Sequence, residues 1–64
     1  MKRDWLVSHR MKKKLTQQEV ANKTDISEST YRSYELGCRL PSVKNAKKIG
    51  NVLKFDWRKF YENE

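Results

Sequence analysis

The sequence predicts an all-α fold, a compact domain of five short helices, on three observations. Cap residues recur just ahead of apolar positions spaced three and four apart. Strand signals are poor, with no long alternation of β-branched residues and no Asn-Gly or Asp-Gly hairpin turn. One Pro and two Gly in 64 residues leave too few breakers for a linker or an unstructured tail, and no internal repeat is visible. A chain this short buries only about 60% of its unfolded surface. It is expected to form one domain over residues 1–64, with its core at about 4–60. That excludes a doubly wound sheet, a (β/α) barrel and an enzyme built around a deep cleft.

The first helix is expected from about Asp4, its cap, to Lys13. Leu6, Val7, Arg10 and Met11 make a loosely apolar stripe, and Trp5 lies beside it. The second starts more sharply. Thr16-Gln17-Gln18-Glu19 is a capping box, and Val20 and Ala21 face inward before an end near Asn22 or Lys23. Asp25 suits the break that follows, because Asp tolerates turn and left-handed backbone. Ser27 caps a third helix running to Glu35. Its inner side is Ile26, Thr30, Tyr31 and Tyr34, and its outer side Glu28, Ser29, Arg32 and Ser33. Gly37 and Pro41 bracket a loop. Ser42 then caps a fourth helix with Val43, Ala46, Ile49 and Leu53 inward, and Asp56 caps a fifth carrying Trp57, Phe60 and Tyr61.

Charge is strongly positive overall, +7 from 15 basic and eight acidic residues, and it is unevenly placed. Lys2, Arg3, Arg10, Lys12, Lys13 and Lys14 stand against Asp4 alone, and Arg39, Lys44, Lys47, Lys48, Lys54, Arg58 and Lys59 against Asp56 alone. The stretch between them is net negative. Two basic segments around such a stretch fit backbone clamps flanking an element that reads something more specific. The plain alternative is a solvated surface. No apolar run reaches the roughly 20 residues of a membrane span, and MKRDWLVSHRMKKK has no uninterrupted apolar stretch for a leader. The lone Cys38 neither staples the chain nor belongs to a metal-ligand set, so a cytoplasmic setting is expected, with no cofactor and no metal.

Two helices of about eight residues joined by a three- to four-residue turn have the dimensions of a helix-turn-helix. The run Leu15-Thr16-Gln17-Gln18-Glu19-Val20-Ala21, then Ile26-Ser27-Glu28-Ser29-Thr30-Tyr31, then Tyr34-Glu35-Leu36-Gly37-Cys38-Arg39-Leu40-Pro41-Ser42 resembles the phage-repressor or xenobiotic-response-element type of helix-turn-helix domain, the lambda-repressor-like group. The resemblance covers residues 4–60. It implies five helices, operator binding as a homodimer and a role in transcription regulation, most often as a repressor. By that similarity Glu28, Ser29, Arg32 and Ser33 face or flank base edges. Gln17, Gly37, Arg39 and Ser42 lie at phosphate-contacting positions, and Arg10 pairs with Glu35 to tie the first helix to the third. Lys44, in the second basic segment, is a further phosphate candidate from its charge. Phe55, Trp57, Phe60 and Tyr61 fall where related domains make their two-fold contact, although core packing is the plainer role for large aromatics. Lys2 and Arg3 suggest a short backbone-contacting arm.

The chain departs from that pattern at four positions. Asp25 and Lys14 stand where Gly is usual, Thr24 where an apolar residue is usual, and Tyr31 where a smaller aliphatic is usual. The expected partner is double-stranded operator DNA, with no membrane and no small-molecule ligand. A protein-interaction or antitoxin-type module with secondary DNA binding is the alternative. RNA binding lacks an exposed aromatic stacking row. Catalysis lacks any nucleophile–base pair or carboxylate dyad.

Overall fold

The computed structural model describes residues 2–62. Four α-helices follow one another: α1 (Asp4–Lys12), α2 (Gln17–Thr24), α3 (Glu28–Leu36) and α4 (Val43–Leu53), closed by a 3-10 helix over Trp57–Tyr61. No strand occurs among the described residues. The expected fifth α-helix is therefore corrected to a 3-10 helix. Asp56 does start it, its carboxylate accepting from the Arg58 amide, but the turn closes from Lys59 N to Asp56 O. A five-residue segment has little room to propagate i→i+4 bonds.

The second, third and fourth helices begin at their expected caps. The Thr16 hydroxyl accepts from the Glu19 amide at 3.1 Å while the Glu19 carboxylate accepts from the Thr16 amide at 2.8 Å. Ser27 and Ser42 accept from Thr30 N and Asn45 N, each at 3.2 Å. The first helix differs. Asp4 lies inside it, and the cap position falls to Arg3, whose side chain makes no cap bond there. Asp4 serves instead as a first-turn acid, favourable at the positive end of the helix dipole.

Three non-glycine residues end helical segments or turns in left-handed backbone: Lys14, Asp25 and Lys54, at φ 58°, 56° and 63°. Each costs about 1–2 kcal/mol relative to Gly, less for Asp, whose short polar side chain suits the region. The buried core is Leu6, Val20, Ala21, Tyr31, Tyr34, Ala46, Ile49, Leu53 and Phe60. Into it α2 brings Val20 and Ala21, to pack on α3 and α4, while α1 contributes Leu6 alone. Thr24, at a usually apolar position, is buried with its hydroxyl donating to the Val20 and Ala21 carbonyls. That leaves no unpaired polar atom at this site, so the substitution is accommodated.

Two expected inward positions face water. Met11 is 64% exposed and Val43 49%. Both sit near helix ends, beyond the reach of so small a core.

Candidate nucleic-acid interface

The α2–turn–α3 unit presents one polar surface. Asp25 reverses the chain in left-handed backbone, and Ile26 N closes onto Ala21 O at 3.0 Å. Burial of Tyr31 and Tyr34 fixes the rotation of α3 and leaves Ser29 and Arg32 in solvent, with Glu28 and Ser33 part-buried. Ser33 is less free than its position suggests. Its hydroxyl donates to the Ser29 carbonyl at 2.8 Å, which leaves mainly its acceptor capacity for anything outside.

Behind this surface lies a chain of hydrogen bonds. Glu35, buried near the end of α3, accepts from Arg10 Nε at 2.7 Å and Nη2 at 3.3 Å. The Arg10 Nη1 also donates to the Leu15 carbonyl at 2.9 Å. Gln17 Nε2 donates at 2.9 Å to Glu35 Oε1, the oxygen that Arg10 Nη2 also reaches, and Gln17 Oε1 accepts from Arg32 Nε at 3.3 Å. The two charges fix the amide's orientation, since only its NH2 can face the carboxylate. Arg32 Nη2 then donates to Glu28 Oε2 at 2.9 Å. Burial alone would raise the Glu35 carboxyl, but the hydrogen bonds from Arg10, and then from Gln17, hold it below the usual range. The Tyr31 hydroxyl is itself buried and makes no hydrogen bond. Burial first, and then the neighbouring Glu35 charge, push its pKa up.

Gln17 thus turns its side chain toward Glu35 and Arg32. The amides of Gln17 and Gln18, in the first turn of α2, have no helical acceptor of their own and suit an anion. The loop after α3 is braced from several directions. Gly37, at φ 79°, ends the helix, and Cys38 N bonds back to Ser33 O at 3.0 Å. Arg3 donates to the carbonyls of Tyr34 at 2.7 Å and Arg39 at 2.8 Å, and the Tyr61 hydroxyl donates to Pro41 O at 2.7 Å. Asn45 Nδ2 donates to the Tyr34 hydroxyl at 3.0 Å. Arg39, Ser42 and Lys44 are exposed along this loop and the first turn of α4. Arg3 is therefore a brace rather than a free arm. Neither its role nor that of Tyr61 carries a local signal, because their partners lie 20 or more positions away.

The C-terminal aromatics divide. Phe60 is buried in the core, which withdraws it from the candidate surface residues, while Phe55, Trp57 and Tyr61 are part-buried. Trp5 meets Phe55 and Phe60 edge-on at 5.2 and 5.1 Å, and His9 lies on Phe55 at 4.9 Å. His9 is part-buried there. Burial, followed by repulsion from Lys12 and Lys59, lowers its pKa. Some basic residues are already engaged: Lys47 lies over Trp57, Lys59 over Trp5, and Arg58 pairs with Asp56. Among the described residues no three His, Cys, Asp or Glu side chains gather as a metal site, and no helix is long and apolar enough to cross a membrane.

Comparison with known proteins places this geometry in context. A family model described as helix-turn-helix matches residues 8–60. The chain is 46% identical over 63 residues to the uncharacterized HTH-type transcriptional regulator YqaF of Bacillus subtilis (strain 168), covering 98% of this chain and 83% of that protein. It is 48% identical over 44 residues to a second such regulator of the same organism, YqaE, covering 69% of this chain and 38% of that protein. No solved structure matches.

Proposed function

Because the chain belongs to the helix-turn-helix family, we propose that it regulates transcription by binding double-stranded operator DNA, with α3 seated in the major groove. The observation that carries this reading is the outward face of α3. From Glu28 to Ser33 its residues are hydrogen-bonding side chains, with the exposed Leu36 following at its end, while the opposite face is held by Tyr31 and Tyr34 in the core. An α-helix with its side chains is about 10–12 Å wide and the major groove about 12 Å, so the two fit.

Glu28, Ser29, Arg32 and Ser33 form the reading surface. The first-turn amides of α2 at Gln17, the Gly37 loop, Arg39, Ser42 and Lys44 hold phosphates. The mechanism is occupancy: a bound operator is closed to polymerase, which makes the protein a repressor. Two copies, joined through the part-buried Phe55, Trp57 and Tyr61, would read half-sites about 34–36 Å apart. The relatives' names, both HTH-type transcriptional regulators, support the same assignment.

Enrichment of bound duplexes from a random library, at two salt concentrations, tests the reading. A recurring motif in two halves one helical turn apart is expected. Recovery of unrelated duplexes at both salts would overturn it. The exposed side chains of Leu36, Leu40 and Val43 favour a second reading, a module that docks on a partner protein and binds DNA secondarily. Co-purification of a stoichiometric second protein, with no enriched motif, would select that one.

A further inference from the structure

The reading surface contains one charged fork whose orientation is set from behind. Glu28 and Arg32 are four residues apart on α3 and form an ion pair, their side chains 38% and 51% exposed. An exposed pair of this kind contributes little stability, so its interest lies in geometry. A guanidinium carries five N–H donors in one plane. Nε and Nη2 lie along one edge, and both are engaged by acceptors from different helices: Nε by Gln17 Oε1 on α2, Nη2 by Glu28 Oε2 on α3. Nη1 has no acceptor among the described residues and Nη2 keeps a second hydrogen, so this half-exposed guanidinium retains N–H donors for an outside partner. Guanine offers the matching pair of acceptors, O6 and N7, in the major groove.

We infer that Arg32 is the guanine-reading residue of this surface, and that Glu28 and Gln17 are positioning residues that hold its plane for a bidentate contact. The inference rests on the proposed binding of operator DNA by α3. Gln17 is itself held by Glu35, which is buried and anchored by Arg10, so the orientation of Arg32 is traced back to the core. A flexible arginine must lose rotamer freedom when it binds; one already clamped on its inner edge loses less. Pairing also gives Glu28 a use beside a polyanion. Its negative charge is offset by Arg32, and one of its two carboxylate oxygens already accepts from Nη2.

The test uses duplexes enriched from a random library by the full chain, then resynthesised with 7-deazaguanine, which lacks N7, at each guanine in turn. One guanine per half-site is expected at which this change weakens wild-type binding about 10-fold and leaves Arg32→Ala binding unaltered. Loss of the bidentate contact in Arg32→Ala removes about 5- to 150-fold of discrimination at that base pair. Arg32→Lys, which keeps the charge but not the fork, should lose the same preference and retain non-specific affinity. Glu28→Ala should weaken the guanine preference, Glu28→Gln should restore part of it through its amide oxygen, and neither should matter once Arg32 is Ala. Circular dichroism checks that each variant is folded.

The inference is overturned if Arg32→Ala enriches the wild-type motif with the same 7-deazaguanine sensitivity. It is also overturned if Glu28→Ala changes base preference in the Arg32→Ala background, since Glu28 would then read directly. Failure of the wild-type chain to enrich any motif would overturn the operator-binding reading and this inference with it.

Discussion

Arg10 Nε donates to Glu35 Oε2 at 2.7 Å between residues 25 positions apart, and so pins α1 to the end of α3. The Glu35 side chain is 3% exposed and that of Arg10 16%. Removing either partner leaves the other charge partly buried and uncompensated, a loss of about 3–5 kcal/mol for a fully buried pair and somewhat less at the more open Arg10. Arg10→Ala and Glu35→Ala should therefore each destabilise the fold, and the double variant should cost less than their sum. Arg10→Ala also loses the bond to the Leu15 carbonyl, a part that the cycle does not share. Urea unfolding of the three variants measures the coupling; strictly additive losses would remove the pair from the account.

Stability should rise from acid toward neutral pH, for two separable reasons. Glu35 is held below its ordinary value in the folded chain, its burial more than offset by Arg10 and Gln17. Its contribution is fully present above the unfolded carboxyl's pKa and is lost as pH falls through the lower folded value. His9 is lowered by burial, Lys12 and Lys59. The unfolded chain therefore takes up that proton first, and stability falls as pH drops below the ordinary 6.5. Urea midpoints across this range should show both limbs. Glu35→Gln should flatten the acidic one and His9→Gln the one nearer neutrality. A midpoint that rises on acidification would contradict both assignments.

The parts of this fold that were legible in the sequence are those decided within one turn of helix. Thr16 with Glu19, Ser27 and Ser42 announce their helices because capping is a contact across three residues. The exposed face of α3 was legible from its period, and the positive φ of Lys14 and Asp25 fits positions where related domains place Gly. Lys54 adopts the same backbone with no such cue. Arg3 gave no hint of bracing the loop after α3, since its acceptors are 31 and 36 positions away. The clamp on Arg32 was half legible. The spacing from Glu28 is written in the sequence, but Gln17 meets Arg32 only because α2 and α3 pack together.

Tyr31 fills the centre of the core, yet its hydroxyl is buried without a hydrogen bond. An unsatisfied buried polar group costs about 1–3 kcal/mol, and its removal in an isosteric apolar side chain is near neutral or stabilising. Tyr31→Phe should therefore match or exceed the wild type in thermal unfolding. A marked loss of stability would mean that the hydroxyl bonds to Glu35 in solution.

Gly50 is buried in α4, where the chain returns past it. A Cβ there would lie 2.8 Å from the Phe55 carbonyl oxygen and 3.2 Å from Trp57 Cα and Cβ. Two of these atoms are backbone, and Phe55 N is tied to Gly50 O at 3.0 Å, so the segment has little room to retreat. In an open helix Gly→Ala would stabilise by about 0.5–1 kcal/mol. Here Gly50→Ala should instead destabilise by about 1–3 kcal/mol, the range of overpacking. An unchanged or raised melting temperature would show that the turn into the closing 3-10 helix can shift.

If α3 reads and the flanking cations hold, affinity and specificity should separate by residue. Arg39 and Lys44 are exposed beside the Gly37 loop and in the first turn of α4, where a phosphate contact carries no base information. Each phosphate neutralised releases condensed counterions, so log K falls with log salt by about 0.9 per contact on duplex DNA. Arg39→Ala or Lys44→Ala should weaken binding to operator and scrambled duplexes alike, and reduce the salt slope by up to about 1. Ser29→Ala should change mainly the ratio between the two duplexes, by about 1–3 kcal/mol where a base contact is lost. Ser33→Ala should change that ratio less, because its hydroxyl proton is already committed to the Ser29 carbonyl. Fluorescence anisotropy with both duplexes across a salt series reads slope and ratio in one experiment. Should folded Ser29, Arg32 and Glu28 variants all keep the wild-type ratio, α3 would not be the reading element, whatever the loop cations do to the slope.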